Sequence, residues 1–381
     1  MRIALLTEVF LPKIDGVVTR TVRHVEQLAA MGHDVLIFAT GDAPSQYAGC
    51  EVVKVPSLSF KPVYPEIQFG LVGPLVARRL AQFEPDVVHA VNPIWTAGWS
   101  TLIASAQGLP LVGSFHTDVP EYTSKLGIGW AKPISEWGLR TFHGRCEYNL
   151  VTSGPMMDKA AGYGVENIRL WPKAVDTESF RPDARTSEMR ARLTGGHPED
   201  PLVTVVGRLS AEKSVERTRP IMQELRKAVP NARLALIGAG PLYDALRDDF
   251  TDDWIHFTGY LSGEDLRAAY ASGDVLLFPS TTETLGFAAL ESFASGVPVV
   301  AANAGGLPFV VADGETGFLV DPEESDARWA AAVEQLLIDA PLHSSMSTAA
   351  RTEALRWNWK TSTEAVVEVY NEAIAAHAAR R

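Results

Sequence analysis

The segment TTETLGFAALESF places Glu283 and Glu291 eight positions apart, around an apolar run whose one glycine is Gly286. Two carboxylates so placed are the acid and nucleophile of a sugar hydrolase, two grips on one long hydroxylated ligand, or the solvated ends of a helix face. If both were helical, their Cα atoms would stand ~12 Å apart along the axis. A glycosidase pair holds its carboxyl groups at about 5 Å or about 6.5–9.5 Å. The spacing argues against one scissile bond unless the loop folds back. It suits two hydroxyl-bearing ends of one ligand, because carboxylates accept hydrogen bonds from hydroxyls.

Other candidates follow apolar runs that read as strands. LVTVVG leads into GRLSAEKS, which puts Arg208 and Lys213 in a turn and early helix, where two cations suit a diphosphate. A solvated basic pair is the plainer reading of the same residues. LALIG leads into GAGP, whose first glycine is Gly238, a turn that allows close backbone approach and also serves ordinary connections. PLVGSF leads into HTD, exposing His116 and Asp118, and the loop after the first strand carries Gly16. A lone histidine is more often a satisfied structural residue, but the C-terminal end of a parallel strand is where ligands bind.

These residues need a scaffold of strands and helices. RIALLTE, HDVLIFAT, DVVHAV and PLVGSF alternate with helical stretches such as VVTRTVRHVEQLAAMG. LVTVVGRL, ARLALIGAG, DWIHFTG, DVLLFPS and VPVVAA repeat the pattern. Near-continuous apolar strands between helices imply parallel sheets covered on both faces. The fold class expected is α/β, with two doubly wound Rossmann-like domains facing across a ligand cleft. WPKAVDTESFRPDARTS is the linker candidate. The expected domains are 1–172 and 173–356. A helix over 357–381, with Val366, Val367, Tyr370 and Ile374 at helical spacing, crosses back to the first.

The 381 residues are 46% hydrophobic and 21% charged, with a formal net charge of −12 that argues against a nucleic-acid binder. Residues 1–170 carry 14 Lys and Arg against 15 Asp and Glu, and the remainder 20 against 31. The first half therefore approaches an anionic surface with little repulsion. No apolar run is long enough to span a membrane. The N-terminal apolar run, interrupted by Glu8, reads as a strand rather than a signal peptide. Two cysteines without metal-ligand spacing fit a reducing, cytoplasmic setting.

GRLSAEKS, GAGP and ETLGFAALESFASGVPVVAANAGGLP, in that order, resemble family 4 retaining glycosyltransferases of the GT-B fold. TEVFLPKIDGV, FHTD and AVDTESFRP extend the resemblance over nearly the whole chain. FHTDVPEYT, RLWPKAVDTESF and AYASGDVLLFPSTTETLG look most like the sulfoquinovosyl- and mannosyl-glycolipid synthases. Two departures are Ala174, where many relatives have Gly, and Pro220, where a helical turn is expected.

The resemblance implies that Arg208 and Lys213 neutralise a diphosphate leaving group, and that Glu291 holds the ribose. Glu283 and His116 then contact the donor hexose. Backbone amides of Gly16, Leu285, Gly286 and Phe287 line the phosphates and sugar, and the base lies near Gly238, Tyr260 and Leu261. It also implies retention of anomeric configuration without a protein nucleophile, and a mechanism with neither metal nor cofactor beyond the nucleotide sugar. The donor is expected to be UDP-linked, with GDP-mannose second, and the acceptor a lipid-linked or small soluble molecule. WAKPISEWGLRTFHGRC sets Trp130, Ile134, Trp137 and Phe142 at helical spacing among Lys132, Arg140 and Arg145. That stretch reads as an aromatic helix packed on its own sheet, or as a peripheral contact with the inner face of a membrane. A nucleotide-sugar epimerase or hydrolase and a non-catalytic sugar-nucleotide sensor are the competing classes.

Overall fold

A computed structural model describes residues 1–13, 15–59, 68–125 and 129–380. The chain divides into two compact units. One is Met1–Lys173 joined by the C-terminal segment from Trp359, and the other is Ala174–Asn358.

The first unit is built on β1 (Arg2–Thr7), β2 (Asp34–Thr40), β3 (Gln46–Tyr47), β4 (Cys50–Val55), β5 (Ser57–Ser59), β6 (Gln68–Gly70), β7 (Val87–Val91), β8 (Leu111–Phe115), β9 (Tyr148–Val151) and β10 (Ile168–Leu170). Its main sheet runs β10-β9-β8-β7-β1-β2-β4-β3, and β5 pairs with β6 separately. The ladders of the main sheet are parallel except the short β3–β4 hairpin, and β5–β6 is antiparallel. The central strands are buried along nearly their whole length, which is why they read as unbroken apolar runs.

The helix Gly16–Ala30 starts where Asp15, in extended conformation, accepts a hydrogen bond from the Val18 amide at 2.9 Å. The helix Trp359–Ala379 packs on it and on β7 and β8. Val366, Val369, Tyr370 and Ala373 are buried with Ile3, Leu5, Leu28 and Trp171, while Val367 and Ile374 lie at the edge of that core.

In the second unit, β11 (Leu202–Val206), β12 (Arg233–Ile237), β13 (Ile255–Gly259), β14 (Val275–Phe278), β15 (Val299–Ala302) and β16 (Gly317–Val320) form a wholly parallel sheet, ordered β13-β12-β11-β14-β15-β16. β11 thus pairs with β12 on one side and β14 on the other, through Thr204 opposite both Ala235 and Leu276. Strand order reverses there, and the connections leaving β11 and β14 diverge over opposite faces. That divergence opens a crevice at the strands' C-terminal ends. Pro220 falls in the first turn of the helix Thr218–Ala228, where a missing N–H breaks no helical bond.

Leu28 is wholly buried between its own helix and the C-terminal helix. Leu28→Ala is expected to cost about 2–5 kcal/mol, read as a lowered urea midpoint. Lys360→Ala, on the exposed side of the C-terminal helix, should stay within about 0.5 kcal/mol.

Candidate active site

The loops after β11 and β14 meet at the reversal point of the second sheet. Past β11 the ladder to the neighbouring loop continues, with the Gly207 amide donating to Ile237 O and the Leu209 amide to Ala239 O, each at 3.0 Å. These bonds bracket Arg208, which is half-buried. A single tight turn, Ala211–Lys213, follows, and the Lys213 ammonium donates to Glu283 Oε1 at 2.5 Å. The two side chains are 26% and 12% exposed, so this is a partly desolvated pair. The Thr282 hydroxyl donates to Glu212 O at 3.1 Å and ties the same loops together. From behind, the Gly306 amide donates to Glu283 O at 2.6 Å, and a Cβ at Gly306 would stand 2.3 Å from Thr284 O. Gly305 and Gly306 therefore hold the loop that carries Glu283, a part the glutamate spacing did not reveal.

The helix after that loop is Phe287–Ala294. It begins at Phe287 because Gly286 adopts φ of 92° and turns the chain into it without a side-chain cap. Leu285 is buried beneath the turn and Phe287 partly buried. Glu291 lies within the helix and accepts a hydrogen bond from the hydroxyl of Tyr270, which is 2% exposed. Burial, then the charge and hydrogen bond of Glu291, then the charge of Glu283 push the Tyr270 hydroxyl well above its usual range, so it stays a donor. Sequence reasoning missed Tyr270: a single aromatic in the helix Gly263–Ser272 carries no periodic signal.

Gly238 follows β12, its amide donating to Gly259 O at 3.0 Å. Just past β13, Tyr260 is 57% exposed while Leu261 is buried. Ser210 and Ser280, at the same strand ends as Lys213 and Glu283, bury hydroxyls that find no hydrogen-bond partner among the described residues. Buried hydroxyls are costly unless paired, and Ser100, Ser272 and Ser295 away from these loops are in the same position.

The remaining candidates belong to the first unit. His116 follows β8 and is 5% exposed. Its Nε2 meets Ser114 Oγ at 2.9 Å, its backbone amide donates to Asn92 Oδ1 at 3.2 Å, and its ring packs edge-on against Trp171. Burial, with the nearby Arg20 charge, holds its pKa well below the usual range, so the ring is neutral. Gly16 is the exposed first residue of its helix. Asp118 is tied down, receiving hydrogen bonds from Lys159 at 3.0 Å and Tyr163 at 2.9 Å. At this sheet's own reversal point, between β1 and β7, Glu8 accepts the amides of Ile94, Trp95, Thr96 and Ala97 at 2.6–3.0 Å. A carboxylate of the chain thus occupies the start of the helix Thr96–Ala106, where an anionic ligand would otherwise be favoured.

Residues 14–179 match the family model described as Glycosyltransferase Family 4, and residues 192–353 that described as Glycosyl transferases group 1. Sulfoquinovosyl transferase SQD2 of Arabidopsis thaliana is 37% identical over 373 residues, 95% of this chain and 71% of the relative. This chain belongs to glycosyltransferase family 4. A GDP-mannose-dependent alpha-mannosyltransferase of Mycolicibacterium smegmatis is 32% identical over 386 residues, all of both chains. Among solved structures, sucrose-phosphate synthase from Thermosynechococcus elongatus aligns with a TM-score of 0.78 at 22% identity, covering 98% of this chain and 99% of that one. Anabaena HepE in complex with UDP aligns at 0.77 and 18% identity, covering 98% and 100%. The fold of this glycosyltransferase is GT-B, with two Rossmann-like domains.

For a glycosyltransferase with this ion pair, Lys213→Ala leaves Glu283 partly buried without its cation. A loss of about 1–3 kcal/mol in unfolding free energy is expected. Adding Glu283→Gln should recover part of it, and a double-mutant cycle in urea measures the coupling.

Proposed function

We propose that this glycosyltransferase moves a hexosyl group from a nucleotide sugar to a hydroxyl of a glycolipid-type acceptor, with retention of configuration. The Lys213–Glu283 pair at the reversal point carries the reading. It sets a cation and a hydroxyl acceptor side by side, as a sugar diphosphate requires at its scissile end. An ammonium has three N–H donors, so one lysine can bridge a carboxylate and a phosphate oxygen. Arg208 adds a second positive charge on the same loop. Glu283 and His116 receive the hexose, and Glu291, held by Tyr270, takes the ribose. The amides of Gly16, Leu285, Gly286 and Phe287 serve the phosphates and sugar, and Gly238, Tyr260 and Leu261 border the base.

In the reaction the bond from the anomeric carbon to the diphosphate oxygen breaks and a bond to the acceptor oxygen forms on the same face. The acceptor proton passes to the departing phosphate oxygen, so no protein nucleophile is needed. The protein's contribution is positioning and stabilisation of the leaving group's charge.

UDP is the first reading of the base. GDP-mannose is the second, favoured by the several relatives named GDP-mannose-dependent mannosyltransferases. A thermal-shift panel of nucleotide sugars separates them, because a ligand at 100 times its Kd adds about 2.7 kcal/mol. Stabilisation by GDP-mannose and not by UDP-hexoses overturns the first reading. Lys213→Ala is expected to lower kcat for transfer roughly 100- to 1000-fold. Unchanged turnover, or an inverted anomer in the product, overturns the assignment.

A lipid-linked acceptor is supported by the names of relatives, such as the phosphatidylinositol monomannoside mannosyltransferase of Mycobacterium tuberculosis. It is supported also by the helix Lys132–His143. That helix buries Leu139 and Phe142 but leaves Trp130, just before it, 75% exposed and Ile134 and Trp137 61% and 55% exposed. Not all of its aromatic residues pack inward. Among the described residues no helix is long and apolar enough to cross a membrane, so contact through this face is peripheral. Trp130→Ser with Trp137→Ser should reduce co-sedimentation with anionic phospholipid vesicles severalfold, without shifting the melting midpoint. Equal sedimentation of variant and parent overturns this contact.

A further inference from the structure

A chain of buried hydrogen bonds runs through the first unit and ends on His116. Thr363 Oγ1 meets His24 Nδ1 at 3.1 Å, and His24 Nε2 meets the Tyr370 hydroxyl at 2.9 Å. The same hydroxyl meets His89 Nδ1 at 2.7 Å. His89 Nε2 and His116 Nε2 both meet Ser114 Oγ, each at 2.9 Å. Thr363 and Tyr370 come from the C-terminal helix, His24 from the helix Gly16–Ala30, His89 from β7 and Ser114 from β8. All of these side chains are fully or nearly fully buried.

Burial keeps the three rings neutral, His89 at about 3 and the other two well below the usual histidine range. It also keeps the Tyr370 hydroxyl protonated. Each neutral ring therefore has one N–H and one bare nitrogen, and each hydroxyl one proton. Six donors serve five links, so one donor is always left over, and because a hydroxyl oxygen can accept from both sides four arrangements let every link hold.

In the first, Thr363 donates to His24, His24 to Tyr370, Tyr370 to His89, His89 to Ser114, and Ser114 to His116 Nε2. The His116 proton then sits on Nδ1. In the other three the direction reverses at Ser114, at Tyr370 or throughout, His116 is protonated at Nε2, and the hydroxyl proton of Ser114, Tyr370 or Thr363 respectively has no acceptor among the described residues. Ser114 and Tyr370 are wholly buried and Thr363 is 1% exposed. A buried donor without an acceptor is costly, and the leftover one costs least at the end of the chain on His116, which is 5% exposed, so the first arrangement is selected. The single N–H left over then lies on Nδ1 of His116, which has no protein partner among the described residues.

We infer that Tyr370 is a positioning residue that fixes His116 as the tautomer protonated at Nδ1, so that the ring offers a hydrogen-bond donor to the ligand. The consequence for transfer rests on the proposed contact of His116 with the donor hexose, whereas the tautomer does not. A donor at that edge suits a sugar hydroxyl oxygen.

The test uses the full-length protein, with nitrogen-15-labelled histidine and two-bond proton–nitrogen correlation spectra at neutral pH. The His116→Asn spectrum assigns the resonance by its loss. The parent protein is expected to show His116 protonated at Nδ1 alone. Tyr370→Phe keeps the ring and removes the link, and Ser114→Ala breaks it next to His116 without touching the C-terminal helix. Each variant should show a mixture of tautomers or the Nε2 form, and a fall of about three- to tenfold in kcat/KM for transfer. Protonation at Nε2 or at both nitrogens in the parent overturns the inference. So does a tautomer unchanged in a folded variant. A shifted tautomer with unchanged transfer upholds the relay and overturns the role of His116 towards the donor.

Discussion

The contact between Lys213 and Glu283 is the constraint on which the second unit's chemistry depends. The reversal of strand order at β11 sends the chain in opposite directions after β11 and β14, so nothing covalent holds the two following loops together. A partly buried charge is costly alone and tolerable when paired. The lysine and the glutamate each supply what the other lacks, and by doing so they close the loops into one surface. The Thr282 hydroxyl and the Gly305–Gly306 turn then fix that surface in depth.

The two units put similar sheets to different electrostatic use. In the first, the helix start at the reversal point is saturated by Glu8, with four amides on one carboxylate. In the second, the corresponding place carries Lys213, Arg208 and an uncapped helix start. The proposed diphosphate draws on that difference, although that half of the sequence holds nearly all the net negative charge. Screening resolves the tension. At physiological ionic strength exposed charges fade beyond about 8 Å, so beside these loops Arg208 and a Lys213 shared with Glu283 weigh more than charges spread over the distant surface.

Much of this was legible in the sequence. Unbroken apolar strands announced parallel sheets, and the offset of eight between Glu283 and Glu291 argued against a hydrolase pair before any coordinates. What escaped was of two kinds. Tyr270 and the Gly305–Gly306 turn act through tertiary contact and leave no local pattern. Glu8 and Asp118 stand at strand ends where a functional carboxylate is expected, yet their hydrogen-bonding capacity is taken up inside the first unit. Strand-end position shows where a ligand group belongs, and only the partners show whether the residue is already committed. His116 is the intermediate case, committed at one nitrogen and not at the other.

The first unit is discontinuous in sequence, and this sets an order of assembly. As the chain emerges from the ribosome, Ala174–Asn358 is complete, with every strand of its sheet present, while the earlier residues still lack Val366, Tyr370 and Ala373 from their core. His24 and His89 have no hydroxyl between them until the last helix arrives. The N-terminal half, made first, is therefore finished last. A stalled or truncated chain would present a formed second unit beside an open apolar face around Ile3, Leu5 and Leu28, the kind of surface on which chaperones and proteases act.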